Sequence, residues 1–540
     1  LKPASEHSLI GRSLPRVDIP AKITGEAVFG YDSRELGMLY GAAAHRPTIE
    51  ATLRSADPGG AEAMPGVVKV VIEDGFVGVV AESRLQAWAA RDGLQVEWDE
   101  GHLWQQEELE TLVTVGERGG VRIQREGNAR SVLEQSTPLM AEYRAGMGAH
   151  ATMEPQAALA DIGADGGRVW TSTQFETSVR GDVAKALDLK PEQIEVIPTY
   201  LGGGFGRKIE SKPVPSAAVE AALLSRAVGK PVHVGWDRQE EMRNGFVRPL
   251  THHRLRAVLD GQGRVEAMAH EQASGDALFG AFPPLVGRVL GFDFGSTRGA
   301  QIPYAIPNRE VTACRIPMPV PTGSWRGLGI LPNTFALESF FDELAHAAGA
   351  DPLRFRLDHL PDDALGQRVR AALNAAAARA GWGDGLPEGR AQGIACSMDG
   401  GTVVVEVAEV SVDDAKGRIN VHRAVAVVDA GRVINPDGAT AQIEGSIVMG
   451  TSAALLEEIT IKDGRIEAAN FDRYPFLRMA DSPEVETILL EAPDGKPRGL
   501  GEPAVAPIAA AIGNAVFSLT GVRLRRLPMT PERVKAALGT

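Results

Sequence analysis

The sequence predicts an α+β protein of several domains, and three observations carry that expectation. Short β-branched runs recur along the chain, at 67–72, 77–81 and 403–407, each bounded by turn residues in the manner of strands. Alanine-rich runs of helical length follow or separate them, at 217–227 and 368–380. Sixty-one glycines and 34 prolines among 540 residues suit many turns and short elements rather than long bundles. That length fits about three or four domains of ~100–200 residues each.

In chain order, residues 1–14 read as an N-terminal arm. Residues 15–100 read as a compact α/β unit, with strands at 39–44, 67–72, 77–81 and 96–99 and a helix from Ser83 to Asp92. Residues 101–137 are polar and irregular and read as a linker. A second unit spans 138–360. It holds strands at 157–160, 168–171, 194–197, 232–236 and 255–259, a helix over 177–187, and a tight turn beginning at Asp260-Gly261. A loop from Pro317 to Gly329 opens into a helix over 334–348. Its acidic positions Glu338, Asp342 and Glu343 read as a solvated face. A third unit spans 390–540, with strands at 403–407, 419–421 and 424–428. It also holds a helix over 441–456 with Gln442 in its first turn, and an apolar helix over 508–518.

Composition narrows the function classes. A net charge of −14 disfavours nucleic acid or an anionic membrane as the main partner. Two cysteines, Cys314 and Cys396, cannot by themselves hold an iron–sulfur cluster, a tetrahedral zinc or a disulfide framework. No run approaches the ~20 apolar residues of a membrane span. Leu1 follows no signal-like segment, which leads us to expect an upstream piece removed or carried elsewhere.

The stretch with the strongest chemical signal is TYLGGGFGRK, residues 199–208. Gly202, Gly203, Gly204 and Gly206 remove side chains and permit positive φ, so backbone N–H groups can approach an anionic or oxo-rich ligand. A tight strand-to-helix turn without a ligand is the alternative. The spacing matches neither the dinucleotide fingerprint nor a triphosphate loop, because Arg207 stands where each needs glycine. His150 and Glu154 lie four apart, yet Pro155 and the lack of a third ligand nearby favour a structural role over a metal pair. Arg326, between small residues, either faces an anion or is an ordinary surface arginine. Glu502, between Gly501 and Pro503 and beside a very apolar run, has the surroundings that push a carboxylate toward general-base work. A plain helix-start carboxylate is the alternative.

Three motifs in fixed order then become specific together. GGGFGRK at 202–208, WRGLG at 325–329 and GLGEPAVAPIAAAIGNAVF at 499–517 resemble the molybdenum-binding subunit of the xanthine dehydrogenase/aldehyde oxidase family. VDAGRVINPD, AQIEGSIVMG and ESFFDELAHAAGADPLRFR bring the resemblance closest to the isoquinoline 1-oxidoreductase beta-subunit branch. It runs from PRVDIPAKITGEAVFG to GVRLRRLP, nearly the whole chain.

The resemblance implies a hammerhead α/β domain over 15–100 and two elongated molybdopterin-binding α+β domains over 138–360 and 390–540. The second of these is expected to be completed by another chain or segment. The cofactor implied is molybdenum on molybdopterin cytosine dinucleotide, held by the pterin dithiolene with no direct protein ligand to the metal. The chemistry implied is hydroxylation with water as oxygen source, with Glu502 as the base. Gly203, Gly204, Phe205, Gly206, Arg326, Gln442 and Gly501 are expected around the cofactor, and Trp325 and Leu328 at the substrate pocket. Iron–sulfur clusters would sit on a partner subunit, with a cytochrome c subunit beyond it. Two departures stand out. A Met-Gly-Gln-Gly-type segment is not found in the 540 residues, and in this branch it precedes Leu1. Leu328 stands where many xanthine-type members have phenylalanine, which tilts the expected substrate toward an aldehyde and away from an N-heteroaromatic ring. A non-catalytic scaffold of the same fold is the competing reading. The sequence leaves the compartment open, with the periplasmic side of the inner membrane ahead of the cytoplasm.

Overall fold

The computed structural model describes residues 2, 6–73, 75–209, 215–278, 287, 289–491 and 495–539. Runs of strands and runs of helices are interspersed along the chain, and three larger sheets organise them. The α+β class therefore holds.

The first sheet has seven strands in the order Ile194–Pro198, Gly167–Thr171, Ala157–Ile162, Val232–Gly235, Leu39–Ala43, Phe76–Ala81, Val67–Glu73. The N-terminal unit is thus not closed on itself: Leu39 pairs with Val232 and Gly41 with Val234, in parallel. Composition explains this. Leu39–Ala43 is buried along almost all its length, so it needs strand neighbours on both edges. Gly41 lets the helix Ala217–Val228 pack directly on it, since a Cβ there would lie 2.5 Å from Leu224 Cδ1. The boundary expected at residue 100 therefore cuts a shared sheet.

The second sheet runs Arg526–Leu527, Leu139–Ala145, Thr251–Leu259, Val265–Ser274, Asn308–Arg315, Val121–Glu126. Its outer strand Val121–Glu126 and the helices Gln106–Leu112 and Ala129–Glu134 occupy the stretch expected to be a linker. That stretch is polar because an edge strand and surface helices leave much of their length in water.

The third sheet orders Ala391–Asp399, Thr402–Asp413, Arg418–Asp429, Glu484–Leu490. Helix Pro507–Thr520 lies on it so closely that a Cβ at Gly393 would stand 2.2 Å from Ala511 O. The window Pro503–Thr520 is apolar enough by composition to cross a membrane, but 78% of it is buried here, and it serves as the core helix. It joins Ile330–Ala347 and the third sheet in one continuous apolar cluster.

Helix Ile330–Ala347 corrects one expectation. Glu338 is 1% exposed and Asp342 2%, so they are not on a solvated face. Glu338 accepts hydrogen bonds from Arg356 Nε at 2.9 Å, Tyr304 Oη at 2.5 Å and the Cys396 amide at 2.9 Å. Asp342 pairs with Arg523 Nη2 at 2.6 Å. Buried charges survive only when paired and hydrogen-bonded in this way.

Candidate active site

Four segments converge on one cavity of about 500 Å³. It is walled by Phe205 and Gly206 from the glycine loop and by Trp325, Arg326 and Leu328 from the loop before helix Ile330–Ala347. Gln442, from helix Pro436–Leu455, and Glu502 complete it. Most of the residues singled out in the sequence are therefore brought together from widely separated parts of the chain.

The glycine loop works differently from a helix-terminus cradle. Phe205 adopts φ 56° although it is not glycine, a left-handed conformation of the kind held at functional sites at a cost of about 1–3 kcal/mol. Gly206 has φ 106°, and a Cβ there would fall 1.8 Å from Ser324 O. The two loops are in backbone contact at that point. Gly204 makes room for a side chain rather than a ligand: a Cβ would meet Gln174 Oε1 at 2.5 Å, and that oxygen accepts from the Gly206 amide at 3.0 Å. Gly203 has φ 100° and stands, like Gly204, just off the cavity wall. The amides of Gly203, Gly204 and Phe205 meet no acceptor among the described residues, so they remain available as donors.

The two cations of the motif turn inward. Lys208 Nζ is buried and donates to Glu154 Oε2 at 2.5 Å and Ser172 Oγ at 2.9 Å. Glu154 also accepts from the Gly202 amide at 2.9 Å. Arg207 Nε pairs with Glu241 at 2.7 Å. Glu154 is thus a structural anchor of the loop, as its sequence context suggested. His150 is likewise structural, bonded through Nε2 to Ser324 O at 2.7 Å, and burial pushes its imidazole down to about 3.

Arg326 ties the remaining segments together. Its Nε donates to Gly501 O at 2.6 Å, and its Nη2 to Gln442 O at 3.2 Å and Gln442 Oε1 at 3.1 Å. Gln442 stands in the second helical turn, not the first, because Asn435 caps the helix and Pro436 starts it. Leu328 shares the left-handed conformation of Phe205, also at φ 56°. Trp325 is in the cavity lining but is mostly committed elsewhere. It is 1% exposed, its indole N–H donates to Ala149 O at 3.2 Å, and the Arg248 guanidinium carbon lies 4.8 Å from a ring centroid.

Glu502 opens a short 3₁₀ turn, Pro503–Val505. Its Oε1 accepts from the Gly327 amide at 3.1 Å and its Oε2 from Arg298 Nη1 at 2.7 Å. The apolar surroundings expected from sequence are not what its carboxylate meets: the side chain is 41% exposed beside an arginine. Arg298 also grips Asp399 with Nε at 2.9 Å and with Nη2. Sequence reading missed Arg298, Asp399 and Gln174. The first two lie 101 residues apart, and neither stands in a motif. Among the described residues no group of three or more His, Cys, Asp or Glu side chains is placed to hold a metal.

Two family models for a molybdopterin cofactor-binding domain match this chain, over residues 115–360 and 374–483. A nicotinate dehydrogenase polypeptide of Pseudomonas putida is 34% identical over all of the chain but only 47% of its own length. The chain therefore spans about half of that relative. The beta subunit of isoquinoline 1-oxidoreductase from Brevundimonas diminuta is 32% identical over 98% of the chain and 69% of its own length. The solved aldehyde oxidoreductase of Desulfovibrio gigas superposes with a TM-score of 0.83 at 19% identity, covering 100% of this chain and 81% of that one, and so shares the fold.

Proposed function

The chain belongs to the xanthine dehydrogenase/aldehyde oxidase family of molybdopterin-binding subunits, and from that premise we propose that it hydroxylates an aldehyde to a carboxylic acid with water as oxygen source. The observation that carries the proposal is the convergence of Glu502, the Arg326–Gln442–Gly501 cluster and the Phe205–Gly206 backbone on one cavity.

The residues present fit a molybdopterin group. The amides of Gly203, Gly204 and Phe205 are free to donate, Gly206 keeps its wall clear of side chain, and Gln442 offers a carboxamide held by Arg326. When bound, molybdenum on molybdopterin cytosine dinucleotide would supply oxygen transfer and take up two electrons. The chain's own part is proton handling and positioning. Glu502 accepts a proton on its carboxylate, which has about four lone-pair sites and uses one for Gly327 and one for Arg298. The charge-assisted bond from Arg298 fixes the direction of that carboxylate. Phe205, Leu278 and Leu328 give the cavity an apolar wall that holds the substrate and limits water.

Electrons must leave the chain. Cys396 is buried in the core and Cys314 is half-buried, and two cysteines are too few for a cluster. We therefore assign the next step to an iron–sulfur subunit, with a cytochrome c subunit as a further acceptor.

A second reading, hydroxylation of an N-heteroaromatic ring, is favoured by Phe205, an aromatic residue of the lining that is 40% exposed, and by the names of the two relatives. Leu328, an aliphatic side chain in the lining, favours the aldehyde. Dye-reduction assays of the purified holoenzyme across aldehydes and N-heteroaromatics separate the two. Glu502→Gln keeps shape and hydrogen bonding but cannot take the proton, so turnover should fall about 10²–10⁴-fold at unchanged molybdenum content. Wild-type turnover in that variant would end the general-base assignment, and absence of molybdenum from the active complex would leave the scaffold reading.

A further inference from the structure

A second cavity, of about 280 Å³, lies outside the site described above. It is formed where the turn after strand Leu39–Ala43 meets helix Arg238–Asn244, the loop at Val320-Pro321 and the hairpin turn at Gly464-Arg465. Four arginines line it, Arg46, Arg91, Arg243 and Arg465, in a chain whose net charge is −14.

Three carboxylates line it as well, Asp92, Asp237 and Glu240, and Arg91 is the cation they share. Glu240 is held by Arg91 Nη1 at 2.7 Å and faces His45 Nδ1 at 3.3 Å. Asp92 pairs with Arg91 Nε at 2.8 Å. Asp237 caps helix Arg238–Asn244 and stands 3.6 Å from Arg91 Nη2. His45 is shared between Glu240 and Glu220, which lies 2.8 Å from its second nitrogen. Arg465 shares its charge with exposed Glu100 at 3.0 Å.

The guanidiniums of Arg46 and Arg243 have no carboxylate or hydrogen-bond partner among the described residues. Burial, and then the like charges of Arg465 and Arg473, lower the hold of Arg243 on its proton. Asp237 opposes that shift without forming an ion pair with Arg243. A planar guanidinium fork matches the oxygens of a phosphate in a bidentate way, and the cavity has space for more than the phosphate itself.

We propose that this cavity is a binding site for a small phosphate-bearing dianion, gripped by Arg46 and Arg243 with Arg465 at the rim. The helix that carries Arg243 also reaches the glycine loop. The same helix, Arg238–Asn244, presents Glu241 to Arg207 on its other side, and Gly245 packs against Arg207, where a Cβ would lie 2.8 Å from Nε.

The test is isothermal titration of the purified holoenzyme with inorganic phosphate and, separately, pyrophosphate, at constant ionic strength. The expected result is one saturable site per chain for at least one of them, with affinity weakened about tenfold or more in Arg46→Ala and Arg243→Ala. Arg243→Lys should fall between, because it keeps the charge and loses the fork. Selective binding of pyrophosphate over phosphate would indicate a diphosphate ester as the natural ligand, and the reverse a monoester. No saturable heat up to about 10 mM of either probe, or equal affinity in a correctly folded Arg46→Ala/Arg243→Ala double variant, would overturn the proposal. Thermal unfolding with and without the probe reads the same site independently. A shift in wild type that the double variant lacks supports the proposal, and an equal shift in both refutes it.

Discussion

Arg298 Nη1 lies 2.7 Å from Glu502 Oε2, while the rest of the same guanidinium is committed to Asp399. The orientation of the candidate base is therefore set by a residue about two hundred positions upstream. Asp399, at the end of strand Ala391–Asp399, anchors that arginine. Arg298→Met should leave the carboxylate held by the Gly327 amide alone, at 3.1 Å, and less firmly directed. Misplacing a reacting group by about 1 Å can cost ~10²-fold, so kcat should fall by roughly that factor with little change in KM. Steady-state kinetics with an artificial acceptor check this, and a wild-type kcat would show that Arg298 is only a structural tie.

Gly206 gives the sharpest test of the two-loop contact. A methyl group there would stand 1.8 Å from Ser324 O on a backbone with φ 106°, so Gly206→Ala must part the loops or strain both. The expected outcome is a protein that folds at lower Tm and is purified with little bound pterin. Gly204→Val should displace Gln174 and release the Gly206 amide, with a smaller loss of cofactor. Normal pterin occupancy in Gly206→Ala would reduce the loop to a turn.

Much of this site was legible because glycine and proline mark it locally. GGGFG and WRGLG each hold left-handed positions, at Gly203, Phe205, Gly206, Gly327 and Leu328, and these two stretches and GLGEP all line or border the cavity. Arg298 and Asp399 were not legible, because an ion pair closed across 101 residues leaves no trace in local pattern. The same limit applies to Glu338 and Asp342, whose spacing on a helix reads as a wet face until Arg356 and Arg523 arrive from elsewhere. Pairing between Leu39–Ala43 and Val232–Gly235 is also nonlocal, so the N-terminal unit looked closed. Gln442 stands one turn further into its helix than expected, because the helix begins at the Asn435-Pro436 cap and not at Ala441.

Stability should peak near neutral pH. Burial lowers His150 to about 3 and His233, His252 and His270 to about 4. Below the ordinary value of 6.5 the unfolded chain therefore takes up protons that the folded chain refuses. Each such histidine removes about 1.4 kcal/mol per pH unit as pH falls from there toward 4. His45 acts in the opposite direction. Burial lowers it, but Glu220 and Glu240 outweigh that and raise it to about 9, so its contribution is lost as pH rises from 6.5 through 9. Tm measured across this range should fall on both sides of neutrality, and a flat acid limb would contradict the buried neutral histidines.

The central claim is that the cavity between Gly206, Arg326 and Glu502 holds the molybdenum-bearing pterin. Anomalous diffraction at the molybdenum edge, from crystals of the metal-replete protein, tests it most directly. The account predicts one strong peak inside that cavity, within reach of Glu502, with pterin density running toward Gln442. A peak elsewhere in the chain, or none from crystals shown to contain molybdenum, would contradict it.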